Sequence, residues 1–244
     1  MATTHSRLSV TTAAIVSCER CPRLRAYCAR ISTEKKRAHR DDTYWGRPVP
    51  GFGDPQARIL LVGLAPAAHG ANRTGRPFTG DGSGGSSDFL MAALHRAGLA
   101  NQATSAHKGD GLQLKGAYLS MAVRCAPPDN APTPEELARC LDHLDEETGA
   151  LPHTRVVVAL GKIAFDAWLR LCRRRGVVPI QPQAFGHEQV VRFPSPHPVL
   201  LGSYHPSRQN TNTGRLTAAM LDAVLQTALL EARRKPRRAV SARS

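Results

Sequence analysis

Four short apolar runs punctuate the chain, each bounded by polar or glycine-rich residues: 57–64 ("ARILLVGL"), 117–124 ("AYLSMAVR"), 155–160 ("RVVVAL") and 199–204 ("VLLGSY"). Runs of this length with little alternation predict strands covered on both faces. Between them the apolar positions recur at helical spacing. Segment 88–99 ("DFLMAALHRAGL") predicts an amphipathic helix stopped by Gly98, and the Gly/Ser-rich run 80–89 offers Ser86 or Ser87 as its cap. Segment 133–151 opens "TPEE", with Thr133 as N-cap, Pro134 at the first helical position and Glu136 completing a capping box. Segments 161–175 and 213–235 predict two further helices, and 11–31 a helical N-terminal region. Strands alternating with helices predict an α/β fold with a mainly parallel sheet, whose functional loops lie at the strand carboxyl ends. The organisation expected is one domain over residues 10–231, between a flexible N-terminus (1–9) and a basic, disordered tail (232–244).

Charge narrows the choice of partner. The chain carries 33 Lys and Arg against 19 Asp and Glu, a net charge of +14. Such an excess favours a polyanion, nucleic acid above all. No apolar run approaches the roughly 20 residues of a membrane span. The opening "MATTHSRLSV" lacks the basic-then-apolar pattern of a signal peptide. A cytoplasmic protein with no membrane partner is expected.

Six cysteines occur, and four stand out: Cys18 and Cys21 in "CERC", and Cys125 and Cys140 flanking a Pro-rich loop and the capped helix. A Cys-x-x-Cys pair sets two thiolates on one metal or cluster. Zinc ribbons usually close with a second tight pair. Here the second pair is open, which favours a [4Fe–4S] cluster, with zinc and a redox disulfide as the alternatives. Four cysteine ligands leave no open coordination position, so the role expected is structural. Cys28 and Cys172 read as buried thiols. A histidine, His205 in "SYHPSRQN", follows the last apolar run at a strand carboxyl end. There it can donate to a developing negative charge, and Ser207 and Arg208 can hold a phosphate.

The segments "YWGRPVPGFGDP" (44–55), "GLAPAAHGANRTGRPFTGD" (63–81), "AVRCAPPDNAPTPEE" (122–136) and "SYHPSRQNTNTGRLT" (203–217), with the cysteine layout, resemble one family. It is the uracil-DNA glycosylase superfamily, and within it the iron–sulfur branch called family five or type B. The resemblance implies a three-layer α/β/α sandwich around a four-stranded parallel sheet. It implies removal of uracil from DNA to leave an abasic site, by a monofunctional enzyme; nothing in the chain demands an oligomer, and a monomer is expected. Leu64 in "GLAPA" and Met121 before the third cysteine stand where the related family four has polar residues. These departures favour family five, which also accepts other deaminated bases such as hypoxanthine.

The chemistry needs a flipped base in a pocket, a carboxylate near the sugar and a donor near the base carbonyl. On that logic Asp81 is the expected carboxylate and His205 the donor. Phe78 is expected to stack on the base, Asn130 to bond its edge, and the backbone of Ala67 and Ala68 to meet it. Asn210 is a secondary base-binding candidate, while Ser207 and Arg208 are expected on DNA. Cys18, Cys21, Cys125 and Cys140 are the expected cluster ligands. The alternative is a non-catalytic iron–sulfur nucleic-acid-binding regulator, for which charge and cysteines suffice and Asp81 with His205 are not needed.

Overall fold

The computed structural model describes residues 4–80, 85–182 and 184–234. All four apolar runs form strands: β2 (Ile59–Gly63), β3 (Ala117–Met121), β4 (Val156–Leu160) and β6 (Val199–Ser203). They lie parallel in the order β3-β2-β4-β6. Two-residue strands β1 (Phe52–Gly53) and β5 (Val190–Val191) add antiparallel edges to the four parallel strands, so among the described residues the sheet has six strands. Short edges of this kind block further pairing.

Strand alternation divides the core. Ile59, Leu61, Val156 and Val158 face α4 (Ser86–Arg96) and α8 (Ala218–Arg233). Leu60, Val62, Val157 and Ala159 face α5 (Pro134–Gly149) and α6 (Lys162–Arg174). The result is the expected three-layer sandwich.

The N-terminus differs from expectation. Helix α1 (Thr4–Val16) begins inside the stretch expected to be flexible, because Leu8, only 8% exposed, anchors it in the α5–α6 face of the core. The helical region 11–31 is broken at residues 17–21, which carry Cys18 and Cys21, before α2 (Pro22–Glu34) resumes. At the other end, α8 is capped by Thr217, whose hydroxyl accepts from the Met220 amide at 3.3 Å. It therefore starts later than residue 213 and runs through Ala232 and Arg233 of the expected tail. Residues 235–244 lie outside those described. Helix α4 takes Gly85 as its N-cap without a side-chain bond, so neither Ser86 nor Ser87 caps it. No helix among the described residues is long and apolar enough to cross a membrane.

The capping box forms as read: the Thr133 hydroxyl accepts from the Glu136 amide at 3.2 Å, and the Glu136 carboxylate accepts from the Thr133 amide at 2.8 Å. The same carboxylate receives Arg23 of α2 through two N–H groups at 2.8 and 2.7 Å. One helix start thus also docks the N-terminal helices. Replacing Thr133 by Ala removes a cap of about 1 kcal/mol. A lower urea midpoint at unchanged slope is the expected outcome, and an unmoved midpoint would show that the cap adds nothing.

Candidate active site

The carboxyl ends of β2, β3 and β6 open onto a cleft of about 380 Å³, lined by Leu64, Ala67, Phe78, Met121, Asn130 and His205, with Ser207 and Arg208 at its side. Each strand ends there for a local reason. After Gly63 the chain enters the Ala/Gly/Pro loop, and the Ala122 and Val123 amides donate to Gly63 and Leu64 carbonyls at 2.9 Å, carrying the ladder just past the strands.

Phe78 sits in the left-handed region at φ 48°, a rare backbone for an aromatic residue. Its ring lies directly over Gly63, where an added Cβ would come within 2.6 Å of the Phe78 ring. The next turn is pinned by Arg76, only 4% exposed, which bonds both Asp110 oxygens at 2.9 and 2.7 Å and also Thr79 and Ser105. Burial alone would raise the Asp110 pKa, but the bonds from Arg76 and from backbone amides hold it well below the usual carboxylate range. Such strained, over-determined backbone is characteristic of ligand sites.

His205 follows β6. Its backbone carbonyl accepts from the Ser207 amide and from the Asn210 side chain, both at 2.8 Å. The preceding Tyr204 is stacked on His187 at 5.0 Å and carries the Arg215 guanidinium 4.8 Å over its ring. The His205 ring faces Phe78, with centroids 6.3 Å apart and planes tilted by 31°. Burial pushes its pKa down to about 4, so at neutral pH it is an uncharged imidazole with one N–H to donate.

The structure gathers some expected residues and redirects others. Ala67, Phe78, Asn130, His205, Ser207 and Arg208 all line the cleft. Asn130 is exposed and, like Asp129 before it, left-handed at φ 55°. Asn210 is a correction: its amide is spent on the His205 carbonyl, holding the loop rather than lining the cleft. The Ala68 side chain packs on the cysteine cluster and its carbonyl accepts from Asn72. Ser207 lines the cleft while its hydroxyl caps α7 (Arg208–Asn212) through the Asn210 amide. Asp81 lies outside the described residues. Met121, Gly85 and Ser86 also line the cleft. None of the three was read as a site residue, although a helix start directly after a ligand loop is a signal for Gly85 and Ser86.

Behind the loop, Cys18, Cys21, Cys125 and Cys140 line one separate cavity together with Arg20, Arg25, Arg124 and Arg139. Two N–H groups already point at sulfur: the Arg124 amide to Cys140 at 3.3 Å and Arg20 Nε to Cys18 at 3.4 Å. Among the described residues no three His, Cys, Asp or Glu side chains converge on a single-ion position. Four thiols around a cationic cavity are a donor set that fits an iron–sulfur group, in which each thiolate would hold its own iron. Cys28 and Cys172 are both buried, as expected, but only Cys172 lies apart, in the α5–α6 core; Cys28 packs in the same cluster as Cys125 and Cys140, with its thiol against that of Cys125.

The family model of the uracil DNA glycosylase superfamily matches residues 50–229. Among similar proteins is a type-5 uracil-DNA glycosylase of Thermus thermophilus, 52% identical over 88% of this chain and 93% of the relative. Proteins of the same name from Mycobacterium leprae and Pyrobaculum aerophilum are 49% and 44% identical, over 88% and 89% of this chain and 92% and 90% of their own.

The His205 environment has a consequence for stability. An unfolded histidine binds its proton near pH 6.5, whereas folded His205 resists it to about pH 4. The unfolded chain therefore takes up more protons in that window, and this contribution is complete above pH 6.5 and lost as the pH falls towards 4. In His205→Gln the loss of stability between those values should be shallower. Urea midpoints at both ends of the window check this, and equal acid losses in the two proteins would refute it.

Proposed function

The chain belongs to the uracil DNA glycosylase superfamily, and we propose that it acts as a type-5 uracil-DNA glycosylase, hydrolysing the bond between a flipped uracil and its deoxyribose. The observation that carries this reading is the pairing of an uncharged His205 with the Phe78 ring across the cleft. A base seated between Met121, the loop backbone and Phe78 gains a stacking contact of about 1–3 kcal/mol. His205 then donates its N–H to the base oxygen on which negative charge grows. As the C1′–N bond breaks, its electron pair leaves with the base, water adds at C1′, and the water's proton balances the departing base. A neutral donor suits this step, because it stabilises the anion without first giving up a proton to it.

Asp81 is assigned the carboxylate that faces the sugar cation and orients the water. Its support is its place in the sequence, directly after Gly80 and shortly before the cleft-lining Gly85. Where the loop and β3 wall the cleft, the lining is Leu64, Ala65, Ala67, Ala71 and Met121, with no polar side chain to test the base from that side. That composition supports acceptance of other deaminated bases such as hypoxanthine. The net charge of +14 supports phosphate contacts by Arg208 and its neighbours. The reading includes a monomer acting in the cytoplasm.

Cys18, Cys21, Cys125 and Cys140 would hold a [4Fe–4S] cluster, as the donor set and its cationic surroundings support. The cluster would supply a structural tie between residues 17–21 and α5, with no part in the bond cleavage.

Two experiments test these assignments. With a duplex carrying one uracil, alkali should cut the strand at the abasic site left by the protein. Asp81→Ala and His205→Ala should each lower the rate about 10²–10³-fold while DNA is still bound. Strand binding without excision by the unaltered protein would favour the regulator instead. Separately, the purified protein should contain iron and show a broad band at about 400 nm, lost in Cys18→Ala. Zinc without that band would replace the cluster assignment.

A further inference from the structure

Two buried polar side chains on the wall of the cysteine cavity have donor capacity that the protein does not use. Arg124 is 1% exposed, and only its Nη2 has a partner, Glu147 Oε2 at 2.8 Å; Nε and Nη1 have none. Glu147 has no further reach, since it also accepts from the Gly51 amide, the Ser120 hydroxyl and the Tyr118 hydroxyl. His143, 6% exposed, has no partner for either ring nitrogen. It lies one turn after Cys140 on α5, and so on the same helix face as that sulfur. Both residues line the cavity that the four cysteines line. Leaving such groups unpaired is costly, and more so where the group is charged. Folded proteins seldom leave them so.

We propose that Arg124 and His143 are the outer donors of this site, giving N–H···S hydrogen bonds to the sulfur atoms of the group that the four cysteines hold. The inference rests on the cluster assignment and deepens it. Donors to cluster sulfur stabilise the reduced, more negative state and raise the reduction potential. Arg124 already engages Cys140 through its backbone amide, so its side chain would add a second contact from the same residue. His143 is held neutral by burial beside the cations Arg20 and Arg124, with Asp142 and Glu147 as the nearby carboxylates, and thus keeps one N–H for sulfur.

The test uses the full-length holoprotein, after iron content and the visible band have established the cluster. Redox titration should show His143→Leu and Arg124→Lys to be harder to reduce. A tenfold change in the reduction equilibrium is expected for each, about 59 mV for one electron. His143→Gln, which keeps an N–H, should return close to the unaltered value. A purely packing role would not separate Gln from Leu in this way. Should a variant fail to fold, electron–nuclear double resonance of unaltered protein labelled with ¹⁵N-histidine should detect one nitrogen coupled to the paramagnetic cluster. An unchanged equilibrium in the folded variants, or no coupled nitrogen, would overturn the proposal. Absence of iron from the unaltered protein would instead sink the cluster assignment on which it stands.

Discussion

The arrangement of both sites depends on the buried ion pair between Arg124 and Glu147, each side chain only 1% exposed. Removing one partner of such a pair leaves an uncompensated buried charge and costs about 3–5 kcal/mol. Around Glu147 converge β3 through Tyr118 and Ser120, the chain at Gly51, and α5 itself. Arg124 stands next to Cys125 and bonds Cys140, so the pair sets where β3 hands over to the cysteine-bearing loop. The Glu147 Oε atoms accept from β3, from Gly51 and from Arg124, which makes the junction specific as well as tight. Without it, two cysteines and the wall below Met121 would lose their common reference.

The cleft and the cysteine cavity are back to back. Residues 64–68 form the partition: Ala65 and Ala67 line the cleft, while Ala65 and Ala68 pack on the cysteine cluster. A partition of alanines is thin, and its small side chains let backbone stand close to whatever occupies the cleft. The cysteine side therefore supports the loop mechanically. The chemistry on the cleft side asks for little else: a flat ring, an uncharged donor and a carboxylate. An enzyme that works by placing charge beside a breaking bond depends on rigidity more than on reactive groups.

Much of this was legible in the chain. The four inner strands were visible because both of their faces are buried, which leaves uninterrupted Val, Ile and Leu. The capping box was visible because its three residues act locally. The cysteine set was visible as chemistry, although only the fold shows that residues 18 and 140 meet at one cavity. The failures have physical causes as well. Helix α1 is held mainly by Leu8 and Ile15 in an otherwise unremarkable stretch, a tertiary anchor with little local pattern. Asn210 looked like a base reader because an amide suits that task, but the nearby His205 carbonyl claims it. The edge strands are two residues long, too short to carry a period.

The split of the cysteines along the chain has a consequence for how the protein is made. Cys18 and Cys21 leave the ribosome early, while Cys140 follows 119 positions after Cys21. At about 5–20 residues per second, the first pair waits roughly 6–24 seconds for its partners. Throughout that interval the N-terminal thiols have no partner set, and Arg23 lacks Glu136 to dock α2. Only when α5 emerges can the two ends of the site close on each other. The N-terminal segment is thus synthesised before the elements that secure it.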